Sequence, residues 1–115
     1  MLSGPNELRP YTRGDGRVPF MDWLRGLRES KARAILRNRL ERFAEGNPGH
    51  WRSLSQGVFE LKIDWGPGYR IYFGCEGPHL IILLIGGDKS TQTKDIHEAQ
   101  DYWQDYHRRG YGTQH

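Results

Sequence analysis

The chain has 115 residues, with 17 Lys+Arg against 14 Asp+Glu, a formal charge of +3 and a pI near 9.2. That length makes one domain, and 36% hydrophobic residues with four Trp, six Tyr and four Phe are enough for one small core. Two domains, a large cavity for a bulky cofactor and a disordered chain are thereby excluded.

A single cysteine, Cys75, leaves no disulfide framework and no cysteine-based metal site. The opening residues lack the pattern of a signal peptide. The longest apolar run, Leu80 to Ile85, is far short of the ~20 residues a membrane helix needs. The expectation is a cytoplasmic protein with no membrane contact.

In chain order, Glu7 to Thr12 suits a short strand, and Arg13-Gly14-Asp15-Gly16-Arg17 a turn. Pro19 stands where proline opens a helix, and Phe20, Trp23, Leu24 and Leu27 follow at helical spacing. A longer helix is predicted from Glu29 to Glu45, with Ala32, Ile35, Leu36, Leu40 and Phe43 on one face and an arginine-rich remainder. Gly46-Asn47-Pro48-Gly49 stops it. From Trp51 the apolar period shortens to two: Phe59, Leu61, Ile63 and Trp65 alternate with polar residues. Gly66-Pro67-Gly68 turns the chain into Tyr69–Phe73, giving a hairpin, and Glu76-Gly77-Pro78 turns it again into a fully apolar strand. A last helix spans Gln92 to His107, carrying Ile96, Ala99, Tyr102 or Trp103, and Tyr106 on its inner face. The predicted fold is an α+β sandwich: a short N-terminal strand, two helices, a three-stranded antiparallel sheet and a C-terminal helix, with the helices on one sheet face. Residues 1–109 form the domain, and 110–115 a flexible tail.

A three-residue connection would set Asp64 opposite Arg70 and Lys62 opposite Tyr72. The sheet face away from the core would then present Glu60, Lys62, Asp64, Arg70 and Tyr72, with Arg52 and Lys89 at its margins. Cations for a phosphate backbone beside a ring for a base are what a nucleic-acid strand requires. The same pattern also describes an ordinary cross-strand ion pair with solvated neighbours.

The run Gly57-Val58-Phe59-Glu60-Leu61-Lys62-Ile63, then Gly66-Pro67-Gly68-Tyr69-Arg70-Ile71-Tyr72-Phe73, then Gly86-Gly87-Asp88-Lys89-Ser90-Thr91-Gln92 resembles the RelE/ParE toxin superfamily. More narrowly it is similar to the HigB-like branch, the addiction-module killer proteins. The resemblance extends from the Phe20–Trp23–Leu24 helix through Tyr106. It implies the RelE-like sandwich and the toxin half of a bacterial type II toxin–antitoxin system. Members of the RelE type cut mRNA in the ribosomal A site and inhibit translation; those of the ParE type share the fold and poison DNA gyrase by protein binding. The implied partners are a separate antitoxin, of helix-turn-helix type, together with ribosome and mRNA. No cofactor or metal is implied.

By the same resemblance Arg70 matches the basic residue set against the scissile phosphate, Lys62 a basic position on the preceding strand, and Lys89 the basic loop after the last long strand. Arg52, Lys94 and Arg37 are assigned to RNA contact. Tyr72 stands in for a base-stacking ring, with Tyr102, Tyr106 and Tyr111 as alternatives. The chemistry suits these residues: the 2′-hydroxyl of RNA attacks its own phosphate, and a guanidinium matches the charge that develops. Either lysine would act as a base only if neighbouring cations lowered its pKa. The histidines, His50 among them, pair by spacing with no polar group. A gyrase inhibitor and a non-toxic degenerate member of the superfamily remain the alternatives to an endoribonuclease. The positive excess is concentrated early: through residue 45 there are ten basic residues against six acidic.

Overall fold

Alternating apolar residues assemble a five-stranded sheet in the computed structural model of the chain, which describes Leu2 and residues 4–110. The elements run β1 (Glu7–Pro10), α1 (Pro19–Gly26), α2 (Ser30–Ala44), β2 (Trp51–Ser53), β3 (Phe59–Ile63), β4 (Tyr69–Glu76), β5 (Leu80–Gly87) and α3 (Gln92–Arg108). Strand order is β1-β5-β4-β3-β2; β1 pairs parallel to β5 and every other pairing is antiparallel. The α+β class and the element order match the expectation, but the sheet is five-stranded and mixed rather than three-stranded and antiparallel. Two short strands account for the difference, one joining each edge. The predicted tail from residue 111 onward, Tyr111 included, lies outside the described residues.

The helices cover both faces of the sheet, not one. On the first face Phe20 and Leu24 of α1 and Ala32, Leu36 and Phe43 of α2 pack on Leu61, Ile63, Ile71, Phe73, Ile81 and Leu83. On the second, Ala99, Trp103 and Tyr106 of α3 pack on Tyr72, Ile82 and Leu84. Strand periodicity requires this division, because β4 and β5 are apolar on both sides and each side must leave water. Among the described residues no helix is long and apolar enough to cross a membrane.

Local chemistry sets the helix ends. Pro19 begins α1. Gly46, at φ +97°, closes α2: its N–H donates to the Phe43 carbonyl at 3.0 Å, and the Asn47 N–H to Arg42 at 2.8 Å. Ahead of α3, the Asp88 carboxylate accepts from the Ser90 N–H at 2.8 Å, capping a short turn that leads into the helix.

One irregularity positions the site. Tyr72 pairs with Ile85 but Phe73 pairs with Leu83, so β5 carries an extra residue, Leu84. Beyond the bulge the strand's facing is reset. Gly86 comes to lie under the Trp23 ring of α1, and Gly87 lies opposite Arg70 on the α3 side. A side chain at either glycine would collide, so the Gly-Gly pair is explained by helices pressing the strand from both faces.

Candidate functional site

The hairpin of β3 and β4 closes with Ile63 opposite Tyr69, so the connection is five residues long, not three. The Trp65 N–H donates to the Ile63 carbonyl at 2.9 Å, and the Gly68 N–H to Trp65 at 3.2 Å. The register therefore moves by two. Lys62 stands opposite Arg70 and Glu60 opposite Tyr72, and the expected Asp64–Arg70 pairing does not form. Because the shift is even, each side chain keeps its predicted face.

On the α3 side of this hairpin an open groove of about 470 Å³ is lined by Arg52, Glu60, Lys62, Arg70 and Gln92, with His50 and Trp51 at its outer margin. Glu60 is its hub. This carboxylate, only 3% exposed, accepts from Arg52 Nε at 2.8 Å and from Gln92 Nε2 at 2.8 Å, and its Oε2 lies 3.7 Å from Arg70 Nε. Burial pushes the Glu60 carboxyl up, but the bonds from Arg52 and Gln92 and the charges of Arg52 and Arg70 outweigh it and leave it below the usual range. The Arg52 guanidinium is held more firmly protonated by the same bond and charge.

Arg70 is itself buried, at 6% exposure. Its Nη1 donates to the Gly68 carbonyl at 2.8 Å, while its Nε has no hydrogen-bond partner. Gly68, at φ +79°, keeps this corner open: a Cβ there would lie 3.4 Å from Arg70 Nη1 and 3.8 Å from the Lys89 Cβ. Lys89 thus reaches the same corner from beyond β5. At the rim Asp64 sits between Lys62, 3.5 Å away, and His50, 3.8 Å away.

The structure therefore brings Arg70, Lys62 and Arg52 into one groove lining, while Lys89 stays outside it with its Cβ beside Gly68. It does not bring Arg37, exposed on α2, or Lys94, exposed in the first turn of α3, into the groove lining. Tyr72 cannot stack on a base as expected, because its side chain is fully buried under α3. Burial, then the charges of Glu60 and Asp95, push its phenol far above the ordinary tyrosine range. Glu60 and Gln92 are the members that sequence reasoning missed as a unit. Glu60 stood on the correct face and Gln92 in the quoted motif, but only the placement of α3 joins them. His50 and Asp64 are likewise joined by the fold rather than by spacing. Among the described residues no group of three His, Cys, Asp or Glu could hold a metal ion. The chemistry available is that of three cations, Arg52, Lys62 and Arg70, in one groove with one buried carboxylate: binding an anion and stabilising charge.

No family model matches the chain. Over 83 residues it is 47% identical to an uncharacterized protein of Haemophilus influenzae, an alignment covering 72% of this chain and 84% of that protein. At that identity and coverage, the chain belongs to the same family as the Haemophilus influenzae protein.

Proposed function

We propose that the chain is the toxin of a bacterial type II toxin–antitoxin pair, of the RelE/ParE superfamily and its HigB-like branch, and that it cuts mRNA on the translating ribosome. The observation that carries this reading is Arg70: a buried guanidinium lining an open groove, with a buried Nε and with Lys62 and Arg52 in the same lining. The two motifs shared with that superfamily supply the turn, the strand and the capped loop that build this corner.

In this reading the attacking 2′-hydroxyl comes from the RNA, so the protein aligns the strand and neutralises charge. Attack by the 2′-oxygen breaks the P–O5′ bond and leaves a 2′,3′-cyclic phosphate, the hydroxyl proton passing through solvent to the departing 5′-oxygen. Arg70 stabilises the non-bridging oxygens of the pentacoordinate phosphorus, and Lys62 and Lys89 bind the phosphate as cations. Glu60 touches no substrate and fixes Arg52 and Arg70. The antitoxin and the ribosome are the partners, and the site acts in the cytoplasm.

The test is induced expression without the antitoxin. Growth arrest with mRNA cuts that appear only during translation, and their loss in Arg70→Ala, is the expected result. Arrest with intact mRNA and damaged chromosomes would move the assignment to gyrase. Harmless expression of the folded chain would remove the toxin reading altogether.

A further inference from the structure

His50 and Lys62 line two grooves, the one around Arg70 and a second of about 420 Å³ on the α2 side of the sheet. The two meet at these residues, just beyond the last β2–β3 pair, where the Lys62 N–H donates to the His50 carbonyl at 2.9 Å. Ile35 of α2, Ile63 and Trp65 form apolar walls in the second groove. The Trp65 ring is half-buried and stacked beside Tyr69, with centroids 6.3 Å apart and planes at 18°. Arg39 of α2 lines it too, with one guanidinium N–H donated to the Pro48 carbonyl at 2.7 Å. Arg42 lies close enough for its charge to act on Arg39.

We infer that this second groove is a nucleotide subsite: a single RNA strand crossing Arg70 and Lys62 passes the His50 lip, sets its next base against Trp65 and its next phosphate against Arg39. The inference rests on the reading of the first groove as an RNA-cutting site and adds how the strand is held beyond it. A slot combining an indole, two isoleucines and a guanidinium fits a base and its phosphate, since a base stacks on an aromatic face and a phosphate pairs with arginine. Asp64, which lines the second groove beside Trp65, accepts from base N–H groups there and leaves the phosphate to Arg39. The cations lining the two grooves run from Arg52 and Arg70 through Lys62 to Arg39.

Because cutting requires the ribosome in this reading, binding can be measured on free RNA. The probe is a short fluorescein-labelled single-stranded RNA of mixed sequence, followed by anisotropy over a salt series. Trp65→Leu should weaken binding roughly ten-fold or more, and Trp65→Tyr should restore most of it. Arg39→Gln should weaken binding and reduce the salt slope by about one. Arg9→Gln, a charge lost on the far edge strand, should do neither. Thermal melts keep loss of folding apart from loss of binding. Wild-type affinity and slope in both Trp65→Leu and Arg39→Gln would overturn the subsite, as would no RNA binding by the wild-type chain. Displacement of the RNA by a polyglutamate peptide at equal concentration would overturn it in favour of an acidic protein partner. Failure of the cutting reading is seen separately, as intact mRNA in cells expressing the wild-type chain.

Discussion

Gly87 and Asp95 compete for one position: a Cβ on Gly87 would fall 1.8 Å from the Asp95 carboxylate oxygen and 2.9 Å from Thr91 Oγ1. The end of β5 and the first turn of α3 are thus locked together where a side chain would hold them apart. Asp95 is buried and accepts from the Thr91 hydroxyl at 2.5 Å. Gly87→Ala should therefore destabilise the fold by about 1–3 kcal/mol, read from urea unfolding. Combined with Asp95→Ala, the loss should be smaller than the sum of the single losses, because the two residues share the contact.

Glu60 joins β2, β3, β4 and α3 through one carboxylate. Glu60→Ala should cost about 1–3 kcal/mol, since it strips Arg52 and Gln92 of their acceptor and leaves Arg70 buried without a counter-charge. Glu60→Gln keeps an acceptor and should cost less. Equal melting temperatures for Glu60→Ala and the wild type would show that the groove holds itself without its hub.

The same group gives the fold an acid limit. The folded-state pKa of Glu60 lies below its ordinary value of 4.5, so its contribution is present at neutral pH and is lost as pH falls through the acid range. Asp95, whose carboxyl burial pushes up from 3.8, has the opposite sign: its contribution is present at low pH and lost as pH rises. Urea midpoints from pH 7 down to pH 3 should fall less steeply in Glu60→Gln than in the wild type, and more steeply in Asp95→Asn.

An alkaline limit comes from the other end of the molecule. The buried Tyr11 hydroxyl donates to the Asp105 carboxylate, and burial, then that bond and charge, push its phenol from 10.0 up to about 12. The unfolded chain releases this proton first, so stability present below pH 10 is lost as pH climbs toward about 12. Tyr11→Phe should make that alkaline slope shallower without abolishing it, since the buried Tyr72 phenol still contributes, measured by thermal melts across the same interval.

Asn6 ties the N-terminal segment to the end of α2. Its Nδ2 donates to the Leu2 and Phe43 carbonyls, each at 3.1 Å, and its backbone N–H to Ala44 at 2.8 Å. Asn6→Ala should lose about 1–3 kcal/mol, because the Phe43 carbonyl is left buried with one partner fewer. Hydrogen exchange in the last turn of α2 should rise with it.

What the residues disclosed in advance depended on how local the determining interaction is. Pro19 and Gly46 mark helix ends through their own backbone chemistry, and all three helices fall close to their predicted limits. Strand alternation put Leu61, Ile63, Ile71 and Phe73 on one face correctly. The turn length was not legible, because Trp65 and Gly68 close an extra ring of backbone bonds that Gly-Pro-Gly does not announce. Nor was β2, three exposed residues with no alternation to read. The face of α3 was the consequential miss. Placing that helix with the others left Tyr72 and Glu60 in solvent, whereas both lie beneath it. Arg70 and Lys62 were legible as members of one face, though not as cross-strand partners, because an even shift in register preserves side.

The parallel pairing of Glu7 with Leu80 has a consequence for the order in which the molecule can form. The earlier strand finds its partner only after the residues between them have been synthesised, on the order of several seconds later at ordinary elongation rates. Closing so long a loop also demands entropy before any contact offsets it, so β1 joins a hairpin of β3, β4 and β5 already in place. Gln92 and α3 follow later still. A nascent chain therefore holds Arg70 without its roof until α3 has been made.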